Sequence, residues 1–225
     1  MKKLYLLCSI VLGCTAVQAQ VKKGDIVLGG NLGYNHSSSK EDNSGITTSS
    51  GNNLGINPSF GKVIKDNLVL GFDVNYTHGS ATYNGGSTTT GTGGGGSIFL
   101  RKYKPLGNGF YLFGQSSLTG NYTHNAQVNP TTSGGQIDSQ SGDVTSFALQ
   151  FFPGIAYAVS PKWQLEAGLP NFFSITYSHD RQKEYFTGGV GTPVLTSETN
   201  NNFSIASSLT GSNTITVGVR YFIGN

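Results

Sequence analysis

All four histidines of this chain end a Tyr-x-His triplet: Tyr34-Asn35-His36, Tyr76-Thr77-His78, Tyr122-Thr123-His124 and Tyr177-Ser178-His179. Imidazole can ligate a metal, move a proton or carry a positive charge near neutral pH. One triplet continues as His36-Ser37-Ser38. Residues two apart share a strand face, so this His-x-Ser spacing can bring a serine nucleophile to its base. The carboxylate that would orient the imidazole is not identifiable, for Glu41 and Asp42 are nearby but in a polar loop. Gly91 to Gly96 matches G-x-G-x-x-G by letter. It precedes a strand pattern rather than a helix, and no Lys-Ser or Lys-Thr follows, so no nucleotide loop is expected. There is no G-x-S-x-G, no H-E-x-x-H and no Cys pair in a metal-binding spacing. The chain is therefore expected to be no enzyme, with no catalytic residue, no metal and no cofactor.

The elements that carry these residues alternate with period two, the signature of β-strands. Ile26, Leu28, Leu32 and Tyr34 oppose Asp25, Asn31 and Asn35. Leu70, Phe72, Val74 and Tyr76 oppose Asp73, Asn75 and Thr77. The same split recurs at 54–61, 98–101, 112–122, 147–157, 163–177 and 215–221, which predicts eight strands. Short turns are expected at Lys65-Asp66-Asn67, at 105–109 and at Ser160-Pro161-Lys162. Four long loops rich in Ser, Thr, Gly and Asn are expected at 37–52, 84–95, 125–143 and 183–202. Long loops at one end and short turns at the other are the build of an outer-membrane barrel. The fold class is all-β: an eight-stranded antiparallel up-and-down transmembrane barrel with three short periplasmic turns.

On that cylinder each triplet ends an upward strand and points outward. Tyr34, Tyr76, Tyr122 and Tyr177 are expected at one level as an outer aromatic girdle, hydroxyls among headgroups. His36, His78, His124 and His179 follow one step further out, where protonated imidazole could meet lipid phosphates. Outward imidazoles on alternate strands cannot converge on one ion. Phe60, Phe110, Tyr157, Trp163 and Tyr221 are expected as the periplasmic girdle. The opposite parity places Asp25, Asp73 and Glu166 inside with Arg101 and Arg220. An eight-stranded barrel is just wide enough for side chains to fill. Buried charges must pair, so these five predict a polar network that closes the lumen.

Composition agrees. Charged residues are 11% of the 225, against about 25% in soluble domains. A net charge of +3 gives no concentrated basic face, which argues against nucleic acid. A water-facing sheet would carry more Lys and Glu than these Asn-, Ser- and Thr-rich polar faces do. Met1-Lys2-Lys3, the apolar run from Leu4 to Gly13 and Val17-Gln18-Ala19 read as a signal peptide over 1–19, leaving the barrel domain at 20–225. Val11-Leu12-Gly13-Cys14 offers a second route, in which Cys14 is lipidated. Cleavage after Ala19 removes Cys8 and Cys14, the only cysteines.

Asn57-Pro58-Ser59-Phe60-Gly61 with Lys65-Asp66-Asn67-Leu68-Val69-Leu70-Gly71 resembles a hairpin of the small outer-membrane β-barrel proteins of Bacteroidetes-type bacteria, of OmpX/OmpA-transmembrane kind. Arg101-Lys102-Tyr103-Lys104-Pro105-Leu106 and the stretch from Pro153 through Glu166 continue the likeness. The resemblance implies an eight-stranded barrel and no particular activity, since the fold hosts adhesins, structural proteins and lipid-modifying enzymes. Thr216, Gly218, Tyr221 and Ile223 resemble the C-terminal signal read by the barrel-assembly machinery, without the usual terminal aromatic. The expected protein is a monomer of the cell outer membrane with a structural or surface-interaction role. Its expected partners are outer-membrane lipid and lipopolysaccharide, the assembly machinery during biogenesis, and an unknown extracellular partner through the loops. The alternatives are a lipid A-modifying enzyme and a narrow small-solute channel.

Overall fold

The computed structural model describes residues 21–40, 47–84, 86–132, 136–169, 172–186, 194–207 and 216–224. The expected signal peptide over 1–19, with Cys14, lies outside them. The described residues form ten strands: β1 (Ile26–Lys40), β2 (Thr47–Lys65), β3 (Leu68–Tyr83), β4 (Thr88–Gly107), β5 (Phe110–Thr132), β6 (Gln136–Ala158), β7 (Trp163–Gly168), β8 (Phe173–Phe186), β9 (Val194–Ser207) and β10 (Thr216–Ile223). Each pairs antiparallel with its neighbours, and the order β5-β4-β3-β2-β1-β10-β7-β6 closes through a β5–β6 ladder. A closed eight-stranded ring results, which removes the free edges of an open sheet. Above it, β6 exchanges β7 for β8, and β9 adds to β8.

The ten strands correct the expected eight, because the last two are interrupted. On β6, Gly154 faces Gly168 and Phe151 faces Phe173. Two residues of β6 thus answer to four of the other chain segment, and the ladder changes register between β7 and β8. The Leu169 N–H still reaches the Pro153 carbonyl at 3.0 Å. Pro170, next in sequence, has no N–H to give a ladder. The expected last strand divides into β9 and β10 on either side of 208–215, and its Leu209 and Ile215 lie outside the described residues.

The expected long loops are corrected too. Most of 37–52, 84–95, 125–143 and 183–202 is strand, and the β4–β5 ladder runs out to Thr88↔Val128. Ladder bonds join backbone to backbone, so Ser- and Thr-rich chain pairs as well as apolar chain. The three short turns stand where expected. Asn67 and Asn108 take φ of 63° and 51°, the left-handed region that asparagine tolerates.

The barrel wears its apolar side outward. Leu32, Val74, Ile98, Leu118, Phe147 and Ile205 are each more than half exposed. Below them, cross-strand aromatic pairs band the turn end: Phe60 with Phe72, Phe110 with Tyr157, and Trp163 with Tyr221, centroids 5.5, 4.7 and 4.7 Å apart.

The inside differs from the expected polar lumen. Its turn end is filled by Val27, Val63, Val69, Phe99, Tyr103, Tyr111, Phe113, Ala156, Ala158 and Phe222. The segment before β1 folds beneath this cluster: Val21 is buried, its carbonyl accepts from Asn67 N–H at 2.9 Å, and Gly24 N–H donates to the Val63 carbonyl at 2.9 Å. The rings need room against the neighbouring strand. A Cβ at Gly154 would collide with the Phe113 ring, and one at Gly168 with Phe152. Where Ile98-Phe99-Leu100, Leu112-Phe113 and Phe151-Phe152 are apolar on successive residues, both faces are apolar, and period-two reading sees only the outer one.

Candidate functional site

Two constellations carry the polar chemistry of the barrel. The first lies inside, directly on the aromatic cluster. β4, β7 and β10 bring Arg101, Glu166 and Arg220 together. Arg101 Nη1 pairs with Glu166 Oε2, and Arg220 Nε donates to the same oxygen at 2.8 Å. Arg101 Nε donates to Gln115 Oε1 at 2.8 Å, and Arg220 Nη1 to Ser59 Oγ at 3.2 Å. The Arg101 guanidinium carbon stands 4.3 Å from the Phe113 centroid, within cation–π range. One carboxylate holding two buried guanidiniums, each with a further acceptor, satisfies the pairing demanded of buried charge. Gly218 lets β10 approach: a Cβ there would stand 3.0 Å from Glu166 Oε1 and 3.2 Å from the Gly30 carbonyl.

The five residues expected to form one network divide into three groups. Asp73 is on the same cavity wall but bonds elsewhere, accepting from Ser97 Oγ at 2.6 Å and Asn57 Nδ2 at 3.5 Å. Asp25 sits below, at the foot of β1, where it accepts from the Lys22 N–H at 3.3 Å. It precedes the first rung of β1, so alternation never positions it on the inner wall. Gln115 and Ser59, which complete the arginine bonds, were not singled out by the sequence.

Above the ion cluster the lumen is hollow. A cavity of about 380 Å³ is lined by Asn31, Asn57, Asn75, Asn121, Ser117, Thr119 and Gln150 among others, with the arginines in its floor. A second, of about 390 Å³, shares Thr77 and Thr123 with it and continues toward the far end of the strands. Asn75 and Asn121 bond at 2.9 Å over Gly95, which lies between them on β4. The interior is thus a polar well ending on Arg101, Arg220 and the aromatic floor. It is not closed along its length by polar side chains, as the sequence led us to expect.

The second constellation is the set of Tyr-x-His triplets. Each histidine faces a polar residue on the next strand: His36↔Asn52, His78↔Thr92, His124↔Asp143 and His179↔Asn201. In three of them one side-chain oxygen serves both triplet members. Tyr34 Oη donates to Asn52 Oδ1 at 2.9 Å and His36 Nδ1 lies 2.8 Å from it. Tyr122 Oη donates to Asp143 Oδ1 at 2.6 Å, with His124 Nδ1 at 2.8 Å. Tyr177 Oη donates to Asn201 Oδ1 at 3.0 Å, with His179 Nδ1 at 2.9 Å. His78 Nδ1 meets Thr92 Oγ1 at 2.9 Å. Three hydroxyls expected among headgroups are therefore spent on a neighbouring strand. An Asn Oδ1 only accepts, so this contact suits the tautomer of His36 and His179 with the proton on Nδ1. Tyr76 and Tyr122 face the same residue, Gly94, while Leu54, partner of Tyr34, faces His78.

The remaining sequence candidates fall as follows. His36 uses Nδ1 on a carboxamide rather than a carboxylate, and Glu41 and Asp42 lie outside the described residues. Gly91 to Gly96 is plain strand in β4, paired on both edges. Thr216 Oγ1 donates to the Gly168 carbonyl at 3.4 Å, Tyr221 packs at a tilt against Trp163, and Ile223 is exposed on the outer face.

The class these features define is a closed antiparallel barrel with an apolar exterior and a polar well inside. No protein-family model matches the chain, and no curated protein matches its sequence. Among solved structures it is similar to a major outer membrane protein from Thermus thermophilus, at 10% identity and a TM-score of 0.46 over 89% of this chain and 99% of that one. It is similar to the outer membrane protein OprG from Pseudomonas aeruginosa at 14% identity and 0.46, over 92% of this chain and 99% of that one. The outer membrane protein AlkL in DMPC bilayers follows at 14% and 0.42, over 94% and 95%.

Proposed function

We propose that the chain is an integral outer-membrane barrel, exported through its N-terminal signal, with a structural or surface-interaction role. The observation that carries this reading is the inverted polarity of a closed ring: exposed Leu32, Val74, Ile98 and Leu118 outside, buried Arg101, Glu166 and Arg220 inside. Large contiguous apolar surface on a soluble monomer has no stable place in water. A bilayer accepts it, and closure through the β5–β6 ladder pairs the backbone groups of the eight-stranded ring among themselves. The extended polar ends of the strands then stand outside the membrane as the surface that meets other molecules. The barrel works as a monomer, without a catalytic step or cofactor, and reaches the membrane through the assembly machinery that reads its last strand. Cell fractionation with a detergent gel tests this. The protein is expected in the outer membrane with different mobility before and after boiling. Periplasmic location with unchanged mobility overturns it.

A narrow solute path is the second reading, favoured by the polar well of about 380 Å³. The aromatic floor stands against it, and planar-bilayer conductance separates the two.

A further inference from the structure

We infer that the outer face where β5, β6, β8 and β9 meet binds the phosphate group of a membrane lipid. Residues two apart on β8 share a face, so Tyr177, His179, Arg181 and Lys183 form one outward column. The registers set this column beside the neighbouring triplet. Asp143 lies between His124 on β5 and Arg181 on β8, Thr145 faces His179, and Ser141 faces Lys183. On the far side His179 faces Asn201, Arg181 faces Thr199 and Lys183 faces Ser197.

The charge is one-sided. His124 Nδ1 lies 2.8 Å from Asp143 Oδ1, and with Arg181 and Lys183 against that single carboxylate the patch is net positive whether or not the imidazole is protonated. Arg181 and Lys183 remain as the cations of the patch; Asp143, the one carboxylate facing them in these registers, is already held by Tyr122 and His124. His179, its Nδ1 fixed on Asn201, adds a ring nitrogen of set direction.

Immediately below the patch the same faces become apolar. Phe147, Leu149, Phe203 and Ile205 are all half exposed or more. A fork of guanidinium and ammonium over a bare hydrocarbon wall fits a ligand with an anionic head and acyl chains. Arg recognises phosphate oxygens in pairs and Lys as a point charge. A free phosphate would have no use for the wall, so the occupant is a phosphorylated lipid lying against the barrel. This inference rests on the membrane reading given above.

The full-length protein, folded into phosphatidylcholine vesicles doped with bis-phosphorylated lipid A, is released in mild detergent, and retained lipid is counted by native mass spectrometry. Dephosphorylated lipid A and inorganic phosphate alone are the comparison arms. The wild type is expected to retain the phosphorylated lipid selectively. The double variant Arg181→Gln with Lys183→Gln is expected to lose on the order of thirtyfold in retention, since each cation near an anionic surface contributes roughly fivefold. Lys102→Gln with Lys104→Gln, exposed cations at the opposite end of the barrel, is expected to change nothing. Equal retention by the Arg181/Lys183 variant, or equal retention of the dephosphorylated lipid, overturns the site while leaving the barrel in its membrane. Binding of inorganic phosphate without lipid also overturns it. Failure of the wild type to enter vesicles sinks the membrane reading, and the lipid site with it.

Discussion

Glu166 is the residue on which the interior depends. Its Oε2 is shared by two guanidiniums that have left water, and Arg101 is almost wholly buried. Removing one partner of such a pair leaves an uncompensated buried charge, which costs about 3–5 kcal/mol. Glu166→Gln is therefore expected to lower barrel stability by that amount in reversible urea unfolding from lipid vesicles. Asp25→Asn is expected to shift it by less than about 0.5 kcal/mol, because Asp25 accepts from one backbone N–H at a turn. Equal effects at the two positions would mean that the ion cluster is not what holds the lumen. Phe113→Ala combines the loss of a buried ring with the loss of a face for Arg101, and about 3–5 kcal/mol is expected in the same assay.

At the scale of the strand, the outward residue and its depth decide the cost of a change. Leu118 is 55% exposed, level with Ile98 and Leu149 on the strands beside it. Arg at this place would stand in hydrocarbon, at about 2–4 kcal/mol near the midplane. Leu118→Arg is expected to cut folding yield into bilayers while leaving folding into short-chain detergent nearly intact. The strands also run past the apolar belt. Thr88, Thr89 and Thr90 keep their rungs with Val128, Gln127 and Ala126. Amide exchange should therefore protect β4 well beyond Ile98, its last large apolar residue toward that end. Free exchange from Thr88 to Gly91 would restore a true loop there.

For the whole molecule, closure is the deciding property. A ring closed by the β5–β6 ladder resists detergent until heated, so unboiled protein is expected to run faster than boiled protein on a detergent gel. The well is blocked at its turn end by Phe99, Tyr103, Phe113 and Phe222. Planar bilayers containing the protein are expected to show no steady open level. Phe99→Ala with Phe113→Ala is expected to introduce one if the floor is the barrier. A steady conductance in the wild type would move the reading to a channel.

Alternation established the strand class and the outward set from Leu28 to Val219, because pleating sends neighbouring side chains to opposite faces whatever else the chain does. It also put Arg101, Glu166 and Arg220 on one inner wall. What it did not contain is which residue stands opposite which. Asn52, Asp143 and Asn201, the acceptors of the Tyr-x-His triplets, sit in stretches whose composition reads as loop, and register alone pairs them. The aromatic floor hid for a related reason: Phe99, Phe113 and Phe152 follow or precede outward apolar residues, so the pattern shows an apolar run without saying which side is filled. Asp25 shared the right parity but begins before the ladder does. The change of register between β7 and β8 came from two residues of β6 answering to four across from them, a mismatch that exists only between strands. Face is a local property of a residue and its neighbours; height, partner and lumen filling are relations between distant segments, and closing the barrel is what set them.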